Sequence, residues 1–377
     1  MNPTKILRGL ATSLVLGLTT SYILAKEIVI AQVAPFGGPL AVSGRDFNLG
    51  ALIAFQEFNA NGGLNGNTIR FVSRDDGYRP ADTLAHVQEL IDKENPVALL
   101  GMWGTENVDA VLAKGLLEKS GMPVIGVRSG ASSLRGNAQL FHIRASYRDE
   151  MRRIYSQLKT MGSSRIAMVY EDQSFGQDAL QEVQQLMAAD NVKPVVLVKQ
   201  EKNVLDVETN IKALIAAQPQ AIILVANPPV SAALIKGLRA KGATAFIFTS
   251  STADAEQLQS LLGPIASGVA VAQGVPNPYK ATQGIAMDFR KQVSKLGIDA
   301  SRANFASMEG YLAARVVIEG LRKSGSKDPG RKDILRGLES LVRFDMGGYD
   351  LDFGKDKREG SRMVDLSMIT ADGRIRQ

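Results

Sequence analysis

The chain has no cysteine and only two histidines, His86 and His142, among its 377 residues. Without cysteine there is no disulfide framework, no thiolate metal site and no cysteine nucleophile. Two histidines leave little room for a histidine-based metal centre or for a Ser/His/Asp triad. The dinucleotide pattern G-x-G-x-x-G and the phosphate-binding pattern G-x-x-x-x-G-K-[ST] are also missing, which argues against nucleotide binding. We therefore predict no metal and no cofactor.

The excess of positive over negative charge is likewise small: the chain has 44 Lys and Arg residues and 38 Asp and Glu residues, which gives a net charge of +6. The basic residues are scattered along the chain and form no cluster, so we predict no nucleic-acid partner. A composition that is 45% hydrophobic and 22% charged is typical of globular proteins. The length suits one large domain or two of ordinary size.

The first 25 residues differ in composition from the rest. Lys5 and Arg8 precede an uncharged stretch, residues 9–25, with an apolar centre and the small residue Ala25 just before Lys26. This pattern is typical of a cleavable secretory signal peptide, and the stretch is short for a membrane anchor. We predict cleavage after Ala25 and export to the periplasm.

Strand and helix patterns alternate through the remainder of the chain. Short apolar runs predict strands at 28–36, 68–73, 97–102, 123–127, 166–170, 194–198, 221–225, 245–249 and 269–272. Stripes of helical spacing predict helices at 47–59, 80–93, 106–119, 175–189, 207–217, 230–241, 281–296, 305–323 and 333–341. Such alternation indicates an α/β fold with parallel sheets covered by helices, and this number of strands favours two lobes.

Ligands of open α/β sheets bind at the carboxyl ends of the strands, so those ends hold the candidate residues. The third strand is followed by Trp103, Gly104 and Thr105. The Thr105 hydroxyl caps the next helix, or binds an anion together with free backbone N–H groups, and both roles can hold at once. Trp103 either belongs to the core or lines the cleft.

Arg128, Ser129 and Gly130 follow the fourth strand. Arg128 is either a surface arginine paired with an acid or a bidentate clamp for a ligand carboxylate. Asp75 and Asp76 are interpreted as turn and cap residues, because adjacent residues of a strand end point to opposite faces. None of these patterns argues for catalysis, and we predict that the protein is not an enzyme.

Several motifs resemble the periplasmic leucine/isoleucine/valine-binding proteins, the solute-binding subunits of branched-chain-amino-acid-type ABC importers. They are ANGGLNG at residues 60–66, Asp75-Asp76 with Pro80, Gly101 ahead of Gly104-Thr105, and Tyr170-Glu171-Asp172 with Phe175-Gly176. The likeness extends from about Ile28 to the C-terminus.

The resemblance implies the type I periplasmic binding protein fold, in which two doubly wound parallel-sheet lobes are joined by a three-crossing hinge. It places residues 26–145 and 275–345 in the first lobe and residues 146–274 and 346–377 in the second. A ligand carboxylate would be held by the loops containing Gly104-Thr105 and Arg128-Ser129-Gly130. The same resemblance assigns Phe175, Asn227 and Ser43 to the ligand's walls.

Ser251 stands where the amino-acid binders of this family carry an acidic side chain for the ligand's amine. A buried ammonium without a charge partner costs on the order of several kcal/mol. We therefore expect a small carboxylate or amide that lacks an α-amino group, unless Asp254 takes the place of the missing acid.

The resulting prediction is a monomeric periplasmic receptor that closes its hinge on a small solute, an amino acid or a small carboxylate or amide, and delivers it to an inner-membrane ABC permease. The alternative is a periplasmic sensor that signals through a membrane partner.

Overall fold

The computed structural model describes residues 26–280 and 284–377, so the predicted signal peptide lies outside the described residues. The first part of the chain builds a five-stranded, fully parallel sheet in the order β2-β1-β3-β4-β5. Its elements are β1 Glu27–Ala34, α1 Ala41–Ala60, β2 Thr68–Asp75, α2 Pro80–Lys93, β3 Ala98–Leu100, α3 Thr105–Ala113, α4 Leu116–Ser120, β4 Val124–Ile125 and β5 Leu140–Phe141.

The second part builds a larger sheet in the order β14-β13-β10-β9-β8-β6-β7. Its elements are α5 Tyr147–Thr160, β6 Ile166–Glu171, α6 Ser174–Ala189, β7 Leu197–Gln200, α7 Glu208–Ala217, β8 Ala221–Val225, α8 Pro228–Ala240, β9 Phe246–Thr249, α9 Ala255–Leu262 and β10 Val269–Gln273, and later in the chain β13 Asp365–Ile369 and β14 Ile375–Arg376. Strands β6 to β10 are parallel, and β13 and β14 close the edge in antiparallel pairs.

Between these parts the chain returns to the first sheet. It forms α10 Gly284–Lys295, α11 Phe305–Lys323, α12 Arg331–Glu339 and the small hairpin of β11 Phe344–Asp345 and β12 Asp350–Leu351. Helix α11 packs along α1, and α12 packs on α11. The two long helices approach closely because glycines face the partner backbone: a Cβ on Gly50 would lie 1.8 Å from the Ser307 carbonyl oxygen. A side chain at Gly50 would push these helices apart.

Both sheets share one strand order, since β7-β6-β8-β9-β10 repeats β2-β1-β3-β4-β5. In this order the connections reverse direction between β1 and β3, and again between β6 and β8. Ligands of doubly wound sheets bind beside this reversal, at the carboxyl ends of the strands. The predicted α/β fold of two doubly wound lobes is confirmed, with an antiparallel edge added to the second sheet.

Local differences from the predicted elements have local causes. The predicted helix 106–119 is two helices, α3 and α4, because Gly115 adopts the left-handed conformation with φ of 66°. The apolar periodicity does not predict α5 or α9, although α5 begins with a Ser146–Asp149 capping box.

The chain passes three times between the sheets: after β5, after β10 and before β13. Residues 346–360, assigned above to the second lobe, contact the first one. The His142 N–H donates to the Arg358 carbonyl (2.8 Å), and Phe353 packs edge-on against Phe141. We therefore propose that the third crossing follows Gly360, later than the boundary at 345/346.

None of the helices among the described residues is long and apolar enough to cross a membrane.

Candidate functional site

A cavity of about 40 Å³ lies between the two lobes at the carboxyl ends of their strands. Both lobes contribute to its wall, which consists of Leu40, Ser43, Tyr78, Trp103, Gly104, Thr105, Arg128, Arg144, Tyr147, Phe175, Asn227, Ser251, Thr252 and Asp254. A single water needs roughly 10–15 Å³ on this scale, so the cavity holds a few water-sized groups. A larger solute requires the lobes or the wall side chains to move apart.

The first lobe presents a helix N-terminus and hydroxyl groups to this cavity. Helix α3 begins at Thr105, and its N-cap is Gly104, with φ of 80° and no side-chain cap. The expectation that Thr105 itself caps the helix is therefore wrong. Its hydroxyl instead lies 2.8 Å from the Ser129 hydroxyl. The uncapped first turn and these hydroxyls form a favourable environment for an anionic group.

Gly104 is required at its position by both conformation and space. A Cβ there would lie 2.6 Å from the Tyr78 ring, besides adopting a positive φ. The close approach brings the Tyr78 ring against the start of α3. Burial raises the pKa of Tyr78, so its hydroxyl stays protonated and able to donate.

Arg128 lies at the wall with 11% of its side chain exposed, and it is already paired. Its Nη1 lies 2.7 Å from Glu309 Oε2, and its Nη2 lies 4.0 Å from Asp254 Oδ2. The guanidinium also stacks over the Trp103 ring at 4.4 Å. Trp103 is both part of the core and a wall residue. Because carboxylates oppose Arg128 on two sides, little of its charge is left for a bidentate ligand clamp.

Ser251 belongs to a buried charge network that includes residues of both lobes. Its N–H and hydroxyl donate to the two oxygens of Glu150 at 2.9 and 2.6 Å. Arg144 donates to the Ser251 hydroxyl and pairs with Glu150 at 3.3 Å and with Glu309 at 3.5 Å. Burial raises the pKa of Glu150, against the attraction of Arg144. The pKa of Arg144 is also raised, since attraction to Glu309 and Glu150 outweighs desolvation, so Arg144 stays charged.

Asp254 supplies a carboxylate close to the position where Ser251 supplies none. It is the N-cap of α9, accepting from the Gln257 N–H at 3.0 Å, and it adopts a positive φ of 51°. Its other oxygen accepts from the Ser43 hydroxyl across the cleft. Asp254 is thus held in a conformation unusual for a residue with a side chain, at the cavity wall.

Of the remaining predicted site residues, some line the cavity and others support residues of its wall. Phe175 faces Tyr147 with ring centroids 6.3 Å apart. Asn227 lines the cavity, and its side-chain amide makes no hydrogen bond to any other described residue. Ser129 and Gly130 do not line it: the Ser129 hydroxyl supports Thr105, and the Gly130 carbonyl accepts from the Tyr147 N–H at 2.8 Å.

Sequence reasoning therefore found most of the wall and missed part of it. It did not assign Leu40, Tyr78, Arg144, Tyr147 or Thr252, and it weighed Asp254 only as a substitute. The sequence contains a signal that could have identified Arg144, because this charged residue follows the buried strand β5 and lies next to the predicted lobe boundary. Tyr147 belongs to α5, which the periodicity did not predict.

Acidic residues elsewhere have structural roles. Asp75 accepts from the N–H groups of Phe36, Gly37 and Gly77, and Asp76 accepts from the Tyr78 N–H and the Thr83 hydroxyl. Within residues 26–280 and 284–377, no group of three or more Asp, Glu or His residues is arranged to hold a metal ion.

Direct contacts across the cleft join the lobes in a closed arrangement. Besides the Ser43–Asp254 bond, Lys202 pairs with Glu106 at 2.6 Å, and the Gln257 amide donates to the Pro39 carbonyl at 2.8 Å. Two doubly wound lobes, joined by three chain crossings and closed over a polar cavity, define a hinged solute-binding protein.

The sequence relationship agrees with this class. The chain matches the family model described as periplasmic binding protein over residues 27–374, and it belongs to that family. It is 22% identical over 337 residues to an amino acid binding protein of Pseudomonas aeruginosa, a match that covers 87% of this chain and 86% of the relative.

Two solved structures extend the likeness. A substrate-binding periplasmic protein from Ralstonia solanacearum is 32% identical, with a TM-score of 0.86 and coverage of 93% of this chain and 99% of its own. A possible leucine/isoleucine/valine-binding protein from Rhodopirellula baltica is 25% identical, with a TM-score of 0.86 and coverage of 94% and 97%. The predicted membership of the leucine/isoleucine/valine-binding family is confirmed.

Proposed function

We propose that the protein is an exported, monomeric solute receptor that closes its lobes on a small solute in the periplasm and delivers it to an inner-membrane ABC permease. The observation that carries this proposal is the closed polar cavity whose wall is shared by both lobes. A solute that contacts both walls stabilises the closed form, and a permease can then recognise the closed shape.

The two ends of the cavity differ in chemistry, and this difference defines the solute. The end formed by Thr105 and the first turn of α3 offers a hydroxyl, supported by Ser129 behind it, and free N–H groups, which suit a carboxylate. The opposite wall carries Asp254. Arg128 is already paired with Glu309, so its charge alone does not compensate the charge of a bound carboxylate.

This arrangement favours the alternative that the sequence left open, in which Asp254 replaces the acid missing at Ser251. We propose that the solute has a carboxylate and, a few bonds away, a cationic amine that faces Asp254. The small volume of the closed cavity favours a short solute. We expect no turnover, because His86 and His142 both lie away from the cavity wall and offer no base to its hydroxyls.

Matched solutes test the proposal by isothermal titration calorimetry on residues 26–377. Each pair differs only in the amine: alanine with propionate, leucine with 4-methylpentanoate, and 4-aminobutyrate with butyrate. We expect at least one amine-bearing member to bind at micromolar concentration or tighter, and its amine-free partner to bind at least 100-fold more weakly.

The informative variant is Asp254→Asn. Asparagine preserves the helix cap and tolerates the positive φ, so the substitution removes the charge alone. Affinity for the amine-bearing solute should fall at least tenfold. Asp178→Asn is the matched control, because Asp178 accepts from the Ser132 N–H across the cleft at 3.2 Å but does not line the cavity.

Tight binding of propionate or butyrate, unaffected by Asp254→Asn, would overturn the assignment of the amine and restore the amine-free expectation. If no member of any pair binds, the result would count against the proposal that the protein is a receptor for such solutes. Solute uptake by cells that lack the gene, restored by the wild-type chain, would support delivery to a permease.

A further inference from the structure

Asn227 places an unpaired amide in the cavity wall. It follows β8, which lies between β6 and β9 in the second sheet, so it sits between the loop with Phe175 and the loop with Ser251. Only 5% of Asn227 is exposed. Its side-chain amide nevertheless makes no hydrogen bond to any described residue, although buried amides of folded proteins are nearly always paired. The open space that this side chain contacts is the cavity.

The amide is also free of the role that asparagine usually has at the start of a helix. Asn227 is the N-cap of α8, yet its side chain makes no cap hydrogen bond. An N-cap side chain accepts from the N–H of the second or third helical residue, and the second residue here is Pro229, which has no N–H. The fixed φ of Pro228 already suits the first turn. The helix therefore does not explain why this residue is asparagine.

Backbone contacts hold Asn227 in place. Its N–H donates to Glu171 Oε2 at 2.8 Å, and the other oxygen of Glu171 accepts from the Asn203 N–H at 2.9 Å. The neighbouring Ala226 carbonyl accepts from the Ser231 hydroxyl at 3.0 Å. Because the backbone is already fixed, the amide can bind a solute with little further loss of conformational freedom.

The rest of the wall offers little purely hydrocarbon surface to an aliphatic solute. Among the described residues that line the cavity, Leu40 and Phe175 alone have side chains without a polar atom. The rings of Tyr78 and Tyr147 carry hydroxyls, and burial raises the pKa of both, so each stays protonated and can donate. A branched aliphatic side chain would leave polar groups of the wall without partners, which is unfavourable in a closed site.

We propose that Asn227 binds an uncharged polar group of the solute, a hydroxyl or a carboxamide, and thereby selects neutral polar amino acids over aliphatic ones. This inference rests on the proposed function, in which the carboxylate meets the first turn of α3 and the amine meets Asp254. It adds a third point of contact and names the class of solute. An amide both donates and accepts, so it can pair with a hydroxyl or with another amide.

Isosteric pairs of amino acids measure this selectivity by isothermal titration calorimetry on residues 26–377. Threonine has a hydroxyl where valine has a methyl group, and asparagine has a carboxamide where leucine has an isopropyl group. A site that hydrogen-bonds a polar group discriminates strongly against an analogue without it, because the groups of the site are then left unpaired. We expect the polar member of at least one pair to bind at least tenfold more tightly than its apolar partner. The pair that shows the preference distinguishes a hydroxyl from a carboxamide.

Asn227→Leu replaces the amide with methyl groups of similar shape, and the preference for the polar member should fall below twofold. Asn227→Ala leaves space instead of adding methyl groups, and it should lose the preference as well. The matched control is Asn61→Leu, which should keep the wild-type preference. Asn61 is exposed, its side chain makes no hydrogen bond to any described residue, and it ends α1, roughly 30 Å along the helix from the cavity.

Equal binding of both members of each pair, or tighter binding of valine and leucine, would overturn the inference. A preference that persists in Asn227→Leu and Asn227→Ala would overturn it too, and a lower melting temperature of these variants would then assign Asn227 to the capping of α8. If alanine, valine or leucine binds and Asp254→Asn weakens that binding, but no polar preference exists, only this inference fails. If no amino acid binds, the proposed function fails as well.

Discussion

Arg128 shows how strongly the neighbours of a residue decide its role. Its charge after a strand suggested a clamp for a carboxylate, whereas Glu309 from α11 lies 2.7 Å from its guanidinium. Glu309 is 181 residues away in the chain, so no local sequence pattern predicts this ion pair. Removal of Arg128 would leave Glu309 buried with less compensation, and the effect on binding would then include that penalty.

His142 is the residue for which the structure predicts an acid-sensitive stability. It is fully buried, and desolvation together with the nearby Arg135 holds its pKa well below the ordinary value of 6.5. His142 therefore binds a proton in the unfolded chain at a pH at which it stays neutral in the folded chain. Stability should decrease as the pH falls below about 6.5, by at most about 1.4 kcal/mol per pH unit.

Urea unfolding between pH 7.5 and pH 5.5 measures this slope. His142→Gln should flatten it, whatever its effect on absolute stability. His86→Gln is the control, because His86 lies at the surface of α2 beside Glu89. An equal slope in the wild type and in His142→Gln would show that other groups cause the acid sensitivity.

At the scale of elements, α5 connects the hinge to the cavity. It begins at Tyr147, directly after the first crossing, and carries Tyr147 into the wall and Glu150 under Ser251. Its start is set by the Ser146 hydroxyl, which accepts from the Asp149 N–H at 3.1 Å, while Asp149 accepts from Ser146 in return. The cap therefore determines where two site residues lie.

Ser146→Ala should lower the free energy of unfolding by about 1 kcal/mol, because an N–H of the first turn loses its acceptor. Chemical denaturation measures the loss. Ser146→Thr, which retains a hydroxyl, should recover most of it, and Ser156→Ala at the exposed face of the same helix should change little. A loss in Ser156→Ala as large as in Ser146→Ala would contradict a specific role of the cap.

At the scale of the whole molecule, Tyr349 joins the crossings between the lobes. Its buried hydroxyl donates to the Ile143 carbonyl in the first crossing, and it lies 3.3 Å from the Gly274 carbonyl in the second. Tyr349 itself precedes the third crossing. One hydroxyl thus holds separate chain segments together at the hinge.

Tyr349→Phe should reduce the free energy of unfolding by about 1–2 kcal/mol, since buried carbonyls lose their donor. The same urea experiment applies, with Tyr170→Phe as the control, because the Tyr170 hydroxyl makes no hydrogen bond to any described residue. Unchanged stability in Tyr349→Phe would show that water or another donor replaces the hydroxyl.

The sequence by itself determined the α/β class, the two-lobed organisation and most of the cavity wall. Strand and helix periodicity is a local property, and residues that follow parallel strands must gather at one edge of each sheet. Thr105 and Arg128 were singled out for this reason, whereas Asn227 and Ser251 were assigned through the resemblance to the leucine/isoleucine/valine-binding proteins. The helix α2 was predicted with the bounds that the structure shows, because Pro80 marks its start.

Only the tertiary structure decided the charge partners and the path of the last crossing. The network of Arg128, Arg144, Glu150, Asp254 and Glu309 joins four separate parts of the chain, and the low-dielectric interior strengthens the interactions between its charges. Residues 346–360 return to the first lobe through contacts with Phe141 and His142 that no local pattern encodes. Periodicity reports which face of an element is buried, whereas ionic pairing depends on what the fold brings opposite it.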